Sequence, residues 1–259
     1  MLILRRARRA ALAAVVVFVA ACAGGDPRPE YVERPVEDLY NEAMDLMEGG
    51  ELTAAAAAFE EVERQHPYSR WATRAMFMAA YVHYEARRYD DAIIAAERFI
   101  DWNAGSDQVP YAQYLIAMSY YERISDVGRD QRMTAEAEDA FTELTRRFPD
   151  TRYARDAELK LDLIHDHLAG KEMEVGRFYL GRAQYVAAIN RFERVLAEYQ
   201  TTTHVAEALH RMVEAYTALG VMDEARRYAA VLGHNYPGSE WYERSYALVT
   251  DPDLPPVQS

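Results

Sequence analysis

One cysteine, Cys22, serves the 259 residues, so no internal disulfide can form and packing alone must hold the fold. Runs of β-branched residues are nearly absent, which argues against a sheet. Long apolar stretches are missing as well. Ala10 to Ala21 is uninterrupted but only 12 residues long, whereas about 20 are needed to cross a bilayer as a helix. Basic charge is scarce: 29 Lys and Arg stand against 42 Asp and Glu, a net of −13. Nucleic acid needs basic patches, and anionic lipid needs basic clusters, so neither is an electrostatic partner.

Catalytic signatures are missing too. Gly170-Lys171 is followed by Glu172, and no glycine stands five residues earlier, so there is no phosphate loop. Neither G-x-S-x-G nor H-E-x-x-H occurs. His165 and His167 are two apart on an expected helix, about 200° apart in direction, and cannot share a metal. Carboxylate pairs such as Glu60-Glu61 and Asp90-Asp91 fall on polar helix faces. No enzyme, metal or cofactor is expected.

What is present starts with an export signal over residues 1–21. Arg5, Arg6, Arg8 and Arg9 precede the short apolar run, which ends in Val19-Ala20-Ala21-Cys22. That ending resembles a lipobox, with small residues for the signal peptidase and a thiol to take the diacylglycerol. In lipoprotein sorting an aspartate after the cysteine retains the chain in the inner membrane. Ala23 stands there instead, so an outer-membrane lipid anchor through Cys22 is expected. The signal holds four arginines and no acid, which leaves 25 basic and 42 acidic residues, a net of −17, in the mature chain. Residues 22–35 read as the acylated cysteine and a Gly/Pro/charged tether. Its reach is roughly 45 Å at most and nearer ~20 Å if flexible. Residues 250–259, with three prolines, read as a disordered tail.

The body between them repeats. Ala43, Ala80 and Ala117 are spaced by 37 residues, as are Glu48, Glu85 and Glu122. The pattern fits the tetratricopeptide repeat: small residues where two antiparallel helices cross, an aromatic in the second helix, and a closing proline. The first repeat offers Ala43, Ala55, Phe59 and Pro67; the second Ala80, Tyr89, Ala92 and Phe99; the third Ala117, Ala137, Phe141 and Pro149. The fourth offers Gly176, Ala188 and Phe192, with Gln200 at the proline position, and the fifth Tyr216, Ala225 and Pro237. The expected fold is all-α, a superhelix of about five helix pairs. Repeats one and two take 36–104, repeat three 105–150, repeat four 151–201 and repeat five 202–249. Two places break the period. Repeat three carries an insertion around Ser125 to Gln131, and repeat four has extra helical sequence from Arg152 to Ala169, with a bend expected at Gly170.

In such a solenoid the first helix of each pair faces the concave side. The repeat register places Tyr40, Met44 and Met47 there, then Phe77, Tyr81 and Tyr84, then Tyr114, Met118 and Tyr121. Each triplet is an i, i+4, i+7 stripe of aromatics and methionines. Two readings stay open: packing between repeats, or a groove for an extended aromatic-rich peptide. The equivalent positions of the last two repeats are Met173, Arg177 and Leu180, then His210, Glu214 and Thr217. Under the groove reading this more polar half docks a different partner.

A resemblance narrows the function. Gln65-His66-Pro67-Tyr68-Ser69 with Trp71-Ala72, Ala80-Tyr81-Val82-His83-Tyr84, Tyr89-Asp90, Arg98-Phe99-Ile100 and Asp130-Gln131 carry its first half. Arg147-Phe148-Pro149-Asp150, Leu168-Ala169-Gly170-Lys171-Glu172, Ala188-Ile189-Asn190-Arg191-Phe192 and Asn235-Tyr236-Pro237-Gly238-Ser239 carry its second. In this order and spacing, together with the lipobox, they resemble the outer-membrane protein assembly lipoprotein family BamD, from the lipobox to about Tyr246. The resemblance implies a role in folding β-barrel proteins into the outer membrane, on its periplasmic face. It implies that C-terminal repeats contact the barrel-shaped core subunit BamA, that other assembly lipoproteins are partners, and that N-terminal repeats take the aromatic C-terminal strand signal of unfolded barrel proteins. Arg177, Arg191 and Arg194 are the candidates for the core-subunit side. A different lipid-anchored scaffold, serving cell division or envelope organisation, would share the fold. A peptidoglycan-acting enzyme would need a catalytic carboxylate in a cleft, and none stands out.

Overall fold

The computed structural model describes residues 33–250. The signal segment, Cys22 and the tail beyond Thr250 lie outside the described residues. Among the described residues there are eleven α-helices and no strand. They are α1 (Val36–Glu48), α2 (Leu52–Gln65), α3 (Arg70–Glu85), α4 (Tyr89–Trp102), α5 (Val109–Tyr121), α6 (Arg132–Arg147), α7 (Arg152–Leu180), α8 (Tyr185–Glu198), α9 (Val205–Ala218), α10 (Met222–Asn235) and α11 (Glu240–Thr250). No helix among the described residues is long and apolar enough to cross a membrane.

The chain is an all-α tetratricopeptide-repeat protein: five antiparallel helix pairs, with α11 packed on the last. The odd-numbered helices touch one another in succession from α1 to α11 and form one layer. Each even-numbered helix touches only its neighbours in the chain and lies in the other layer.

The crossings explain the small residues. Ala43, Ala80 and Ala117 are fully buried where the first helix of each pair meets its partner. Gly176 holds that place in α7, where a Cβ would stand 2.8 Å from the Cδ1 and Cζ atoms of Phe192. In α9 the same register falls on fully buried Val213; Tyr216, one turn on, is half-buried and stacks on Tyr228 at 5.6 Å. Phe59, Phe99, Phe141 and Phe192 fill the space inside the first four pairs, each at most 1% exposed. Burying such a ring stabilises by roughly 1.5–3 kcal/mol.

Three of the five junctions that follow a second helix share a local rule. Pro67, Pro149 and Pro237 stand just past that helix, and two residues later a hydroxyl caps the next one. Ser69 Oγ accepts from Ala72 N at 3.0 Å, Thr151 Oγ1 from Ala154 N at 3.1 Å, and Ser239 Oγ from Tyr242 N at 3.2 Å. Within every pair but the third, the turn after the first helix uses a left-handed residue. Gly50 and Gly220 supply it without strain, whereas Arg87 and Ala183 adopt φ of 57° and 58°.

The insertion is a loop between α5 and α6, tied by Gln131 Nε2 donating to the carbonyls of Arg129 and Val127 at 3.0 and 3.2 Å. The extra helical sequence is the first half of α7. That helix runs 29 residues and continues through Gly170 rather than breaking there. His204 explains the glycine: a Cβ at 170 would come 3.2 Å from its Nε2.

Candidate protein-binding surfaces

The aromatic stripes lie on the odd-helix layer. All nine residues are partly buried except Met118, which at 9% exposure belongs to the core around Phe141. Tyr40 packs edge-on against Phe59 at 5.5 Å and against Trp71 at 4.8 Å, while Met44 and Met47 pack on the core of the first pair. Phe77 contacts Phe99 and Tyr111, both at 5.5 Å. Tyr81 lies 6.5 Å from Tyr111, Tyr84 lies 5.8 Å from Tyr89, and Tyr121 lies 6.0 Å from Phe141. Tyr114 touches Phe141 and donates its hydroxyl to Asp156 Oδ2 at 2.6 Å.

Two tyrosines outside the register join the triplets. Tyr111 stacks on Tyr153 at 5.0 Å and on Tyr114 at 6.3 Å, so rings from α3, α5 and α7 form one seam. Partial burial means that one side of these rings packs between repeats and the other reaches the surface. Burial pushes the Tyr84 phenol up to about 12, with help from Glu122 and neighbouring tyrosines. Burial and the charges of Tyr81 and Tyr153 do the same for Tyr111, also to about 12. The rings therefore stay neutral, apolar contact surfaces with a hydroxyl at the edge.

The C-terminal half is held differently. Arg177 of α7 donates to both oxygens of Glu207 of α9 at 3.1–3.2 Å. Glu207 also accepts from Arg211 at 3.2 Å, and Arg211 reaches Glu214 at 2.9 Å. Glu214 lies 3.5 Å from His210 Nε2, whose Nδ1 pairs with Ser245 of α11 at 2.9 Å. Burial alone would raise the Glu214 carboxyl, but His210 and Arg211 outweigh it and hold its pKa below the usual value. His210 and Glu214 are 1% and 5% exposed. Their polarity is therefore an interior bond network between three helices, not the open polar surface the stripe pattern suggests. Thr217 is half-buried beside them.

Arg191 and Arg194 of α8 share one carboxylate, Glu172 of α7, at 3.0 Å each. All three candidate arginines are thus engaged within the chain. Arg191 and Arg194 remain 38% and 48% exposed, with donors left for a partner. Arg177 is separate from them, on the α7–α9 contact. Among the described residues no group of His, Cys, Asp and Glu is placed to hold a metal.

Residues 32–232 match the family model described as "YfiO: Outer membrane lipoprotein". The chain is 48% identical over 250 residues to the outer membrane protein assembly factor BamD of Caulobacter vibrioides, covering 95% of this chain and 82% of that one. It is 46% identical to the BamD of Rickettsia prowazekii, covering 83% and 86% of the two chains. With the BamD of Neisseria meningitidis serogroup A it shares 34% identity, over 82% of this chain and 83% of that one. Among solved structures the MamA protein aligns over 86% of this chain at 16% identity, with a TM-score of 0.39. The family match and these relatives establish that the chain belongs to the BamD family of outer membrane protein assembly factors.

Proposed function

We propose that this protein is a non-catalytic scaffold of the β-barrel assembly complex, held on the periplasmic face of the outer membrane by acyl chains on Cys22. Two or more chains at ~0.8 kcal/mol per buried CH₂ give stable attachment, whereas one alone is marginal. Its first three repeats take the aromatic C-terminal strand signal of unfolded barrel proteins. Its last two contact the core subunit BamA through the α7–α8 face that carries Arg191 and Arg194, and other assembly lipoproteins join the complex.

The observation that supports this division most is the seam of half-buried rings on α3 and α5, Phe77, Tyr111 and Tyr114, which ends on Tyr153 of α7. A peptide side chain laid on it meets π-faces and tyrosine edges already fixed by packing, so little rotamer freedom is lost on binding. The test uses the full-length lipoprotein in detergent and a labelled peptide ending in an aromatic strand signal. Tyr81→Ala and Tyr84→Ala should weaken binding about thirtyfold, the effect of losing ~2 kcal/mol at a hot spot. Circular dichroism controls for folding. Unchanged affinity in a folded variant removes that tyrosine from the site.

A further inference from the structure

The two departures from the repeat meet in space. The insertion loop folds against the long α7, and His204 at the start of α9 closes the other side. Between them lies a cavity of about 460 Å³ whose wall includes Asp126, Asp166, Glu174 and His204. It adjoins a second cavity of about 240 Å³ lined by Tyr121, Ile124, Leu163 and Ile164, and Leu163 and His167 belong to both walls. The face of α7 running into this trough is apolar and uncovered: Leu159 and Leu163, one turn apart, are 64% and 58% exposed.

The polar end is under-filled. Arg177 contributes to the wall, but its charge is matched by Glu207. Asp126 spends one oxygen on the backbone of Gly128 at 2.9 Å. Asp166 accepts from Thr203 N and Oγ1 at 3.1 and 2.8 Å and lies 3.7 Å from His204. Glu174 has Lys171 at 3.6 Å and stays half-exposed. The Nε2 atom of His167 is buried with no partner, and a buried polar atom without one is costly. Three carboxylates therefore border the trough with little cationic charge to answer them. A guanidinium or ammonium supplied from outside would donate to these oxygens.

We infer that this trough is a docking site for an extended polypeptide segment of a partner carrying an apolar side chain and, a few residues away, a lysine or arginine. The apolar side chain sits on Leu159 and Leu163 and enters the cavity beside Ile124. The cation sits among Asp126, Asp166 and Glu174. At 1.5 Å per residue along α7, Leu163 is ~5 Å from Asp166 and ~16 Å from Glu174, so the two anchors stand about two to five residues apart in an extended strand. The site touches the proposed client surface only at Tyr121, and of the three candidate arginines its wall includes only Arg177, which lies apart from Arg191 and Arg194. The test avoids Tyr121 and Arg177, so its outcome is separate from those roles.

The experiment is fluorescence anisotropy with full-length lipoprotein in detergent and a labelled peptide, Gly-Leu-Leu-Ser-Ser-Arg-Arg-Ser, against a mate with glutamates in place of the arginines. The basic peptide should bind, weaken with added salt, and lose tenfold or more in affinity with Leu163→Ser or Glu174→Lys. Both positions are solvent-facing, so the variants should fold, and circular dichroism verifies it. Absence of binding, equal binding of the acidic mate, or unchanged affinity in either folded variant overturns the inference.

Discussion

Replacing Gly176 by alanine adds one methyl group at the place where α7 crosses α8. Its ideal position lies 2.8 Å from two ring carbons of Phe192, while carbon atoms in contact ordinarily sit ~3.5–4.0 Å apart. Phe192 is fully buried among Met173, Val195 and Met212 and has no open space to swing into. Overpacking of this kind costs ~1–3 kcal/mol, and a fixed ring puts this site at the upper end. Alanine returns ~1 kcal/mol of helix propensity. The net should be a loss of about 2 kcal/mol, or ~4–8 °C in Tm for a body of this size. Gly233→Ala provides the contrast. Its methyl would come 2.5 Å from Tyr242, but that ring is only half-buried on the last helix and can turn away, so stability should stay within ~1 kcal/mol of the parent. Thermal and urea unfolding followed by circular dichroism measure both, and adding Phe192→Leu to Gly176→Ala should recover part of the loss. If Gly176→Ala unfolds at or above the parent temperature, the close α7–α8 contact is wrong.

Three further outcomes follow from the same structure. Ala183→Gly relieves a left-handed alanine and should stabilise by ~0.5–1 kcal/mol in the same unfolding assay, whereas a loss would show that the turn is not strained. Tyr84 and Tyr111, with folded pKa values near 12, hold their protons longer than in the unfolded chain; the stability they add is complete below pH ~10 and lost as pH rises toward 12. Ultraviolet titration should show a tyrosine fraction ionising late and together with unfolding, and a single transition near pH 10 in folded protein would refute it. Cys22→Ser should leave an unacylated or mislocalised precursor, and mass spectrometry finding a mature N-terminus other than an acylated Cys22 would refute the anchor.

The repeat was legible because crossings constrain residue size directly. Alanine at 43, 80 and 117 is what close helix axes demand, and those three residues are fully buried. The aromatic stripes were visible for the same geometric reason, since a helix face repeats at i, i+4, i+7. Tyr111 escaped because it stands three residues ahead of its triplet, and Tyr153 because it lies on the α7 extension, outside the register. The stacking of those two rings depends on how α5 meets α7, which no spacing reveals. Glu172 as the shared partner of Arg191 and Arg194 was hidden likewise, 19 and 22 residues away on another helix. His210 and Glu214 misled in the opposite direction. Their polarity suggests surface, but α11 covers them with Ser245 and Trp241.

The most direct measurement is affinity purification of the tagged full-length chain from detergent-solubilised outer membranes, with Arg191→Glu/Arg194→Glu alongside. The parent should recover the barrel-assembly core subunit, and the double variant should lose it while keeping its helical circular dichroism and its affinity for an aromatic strand-signal peptide. Recovery of cell-division or peptidoglycan-binding proteins in place of the core subunit would contradict the account.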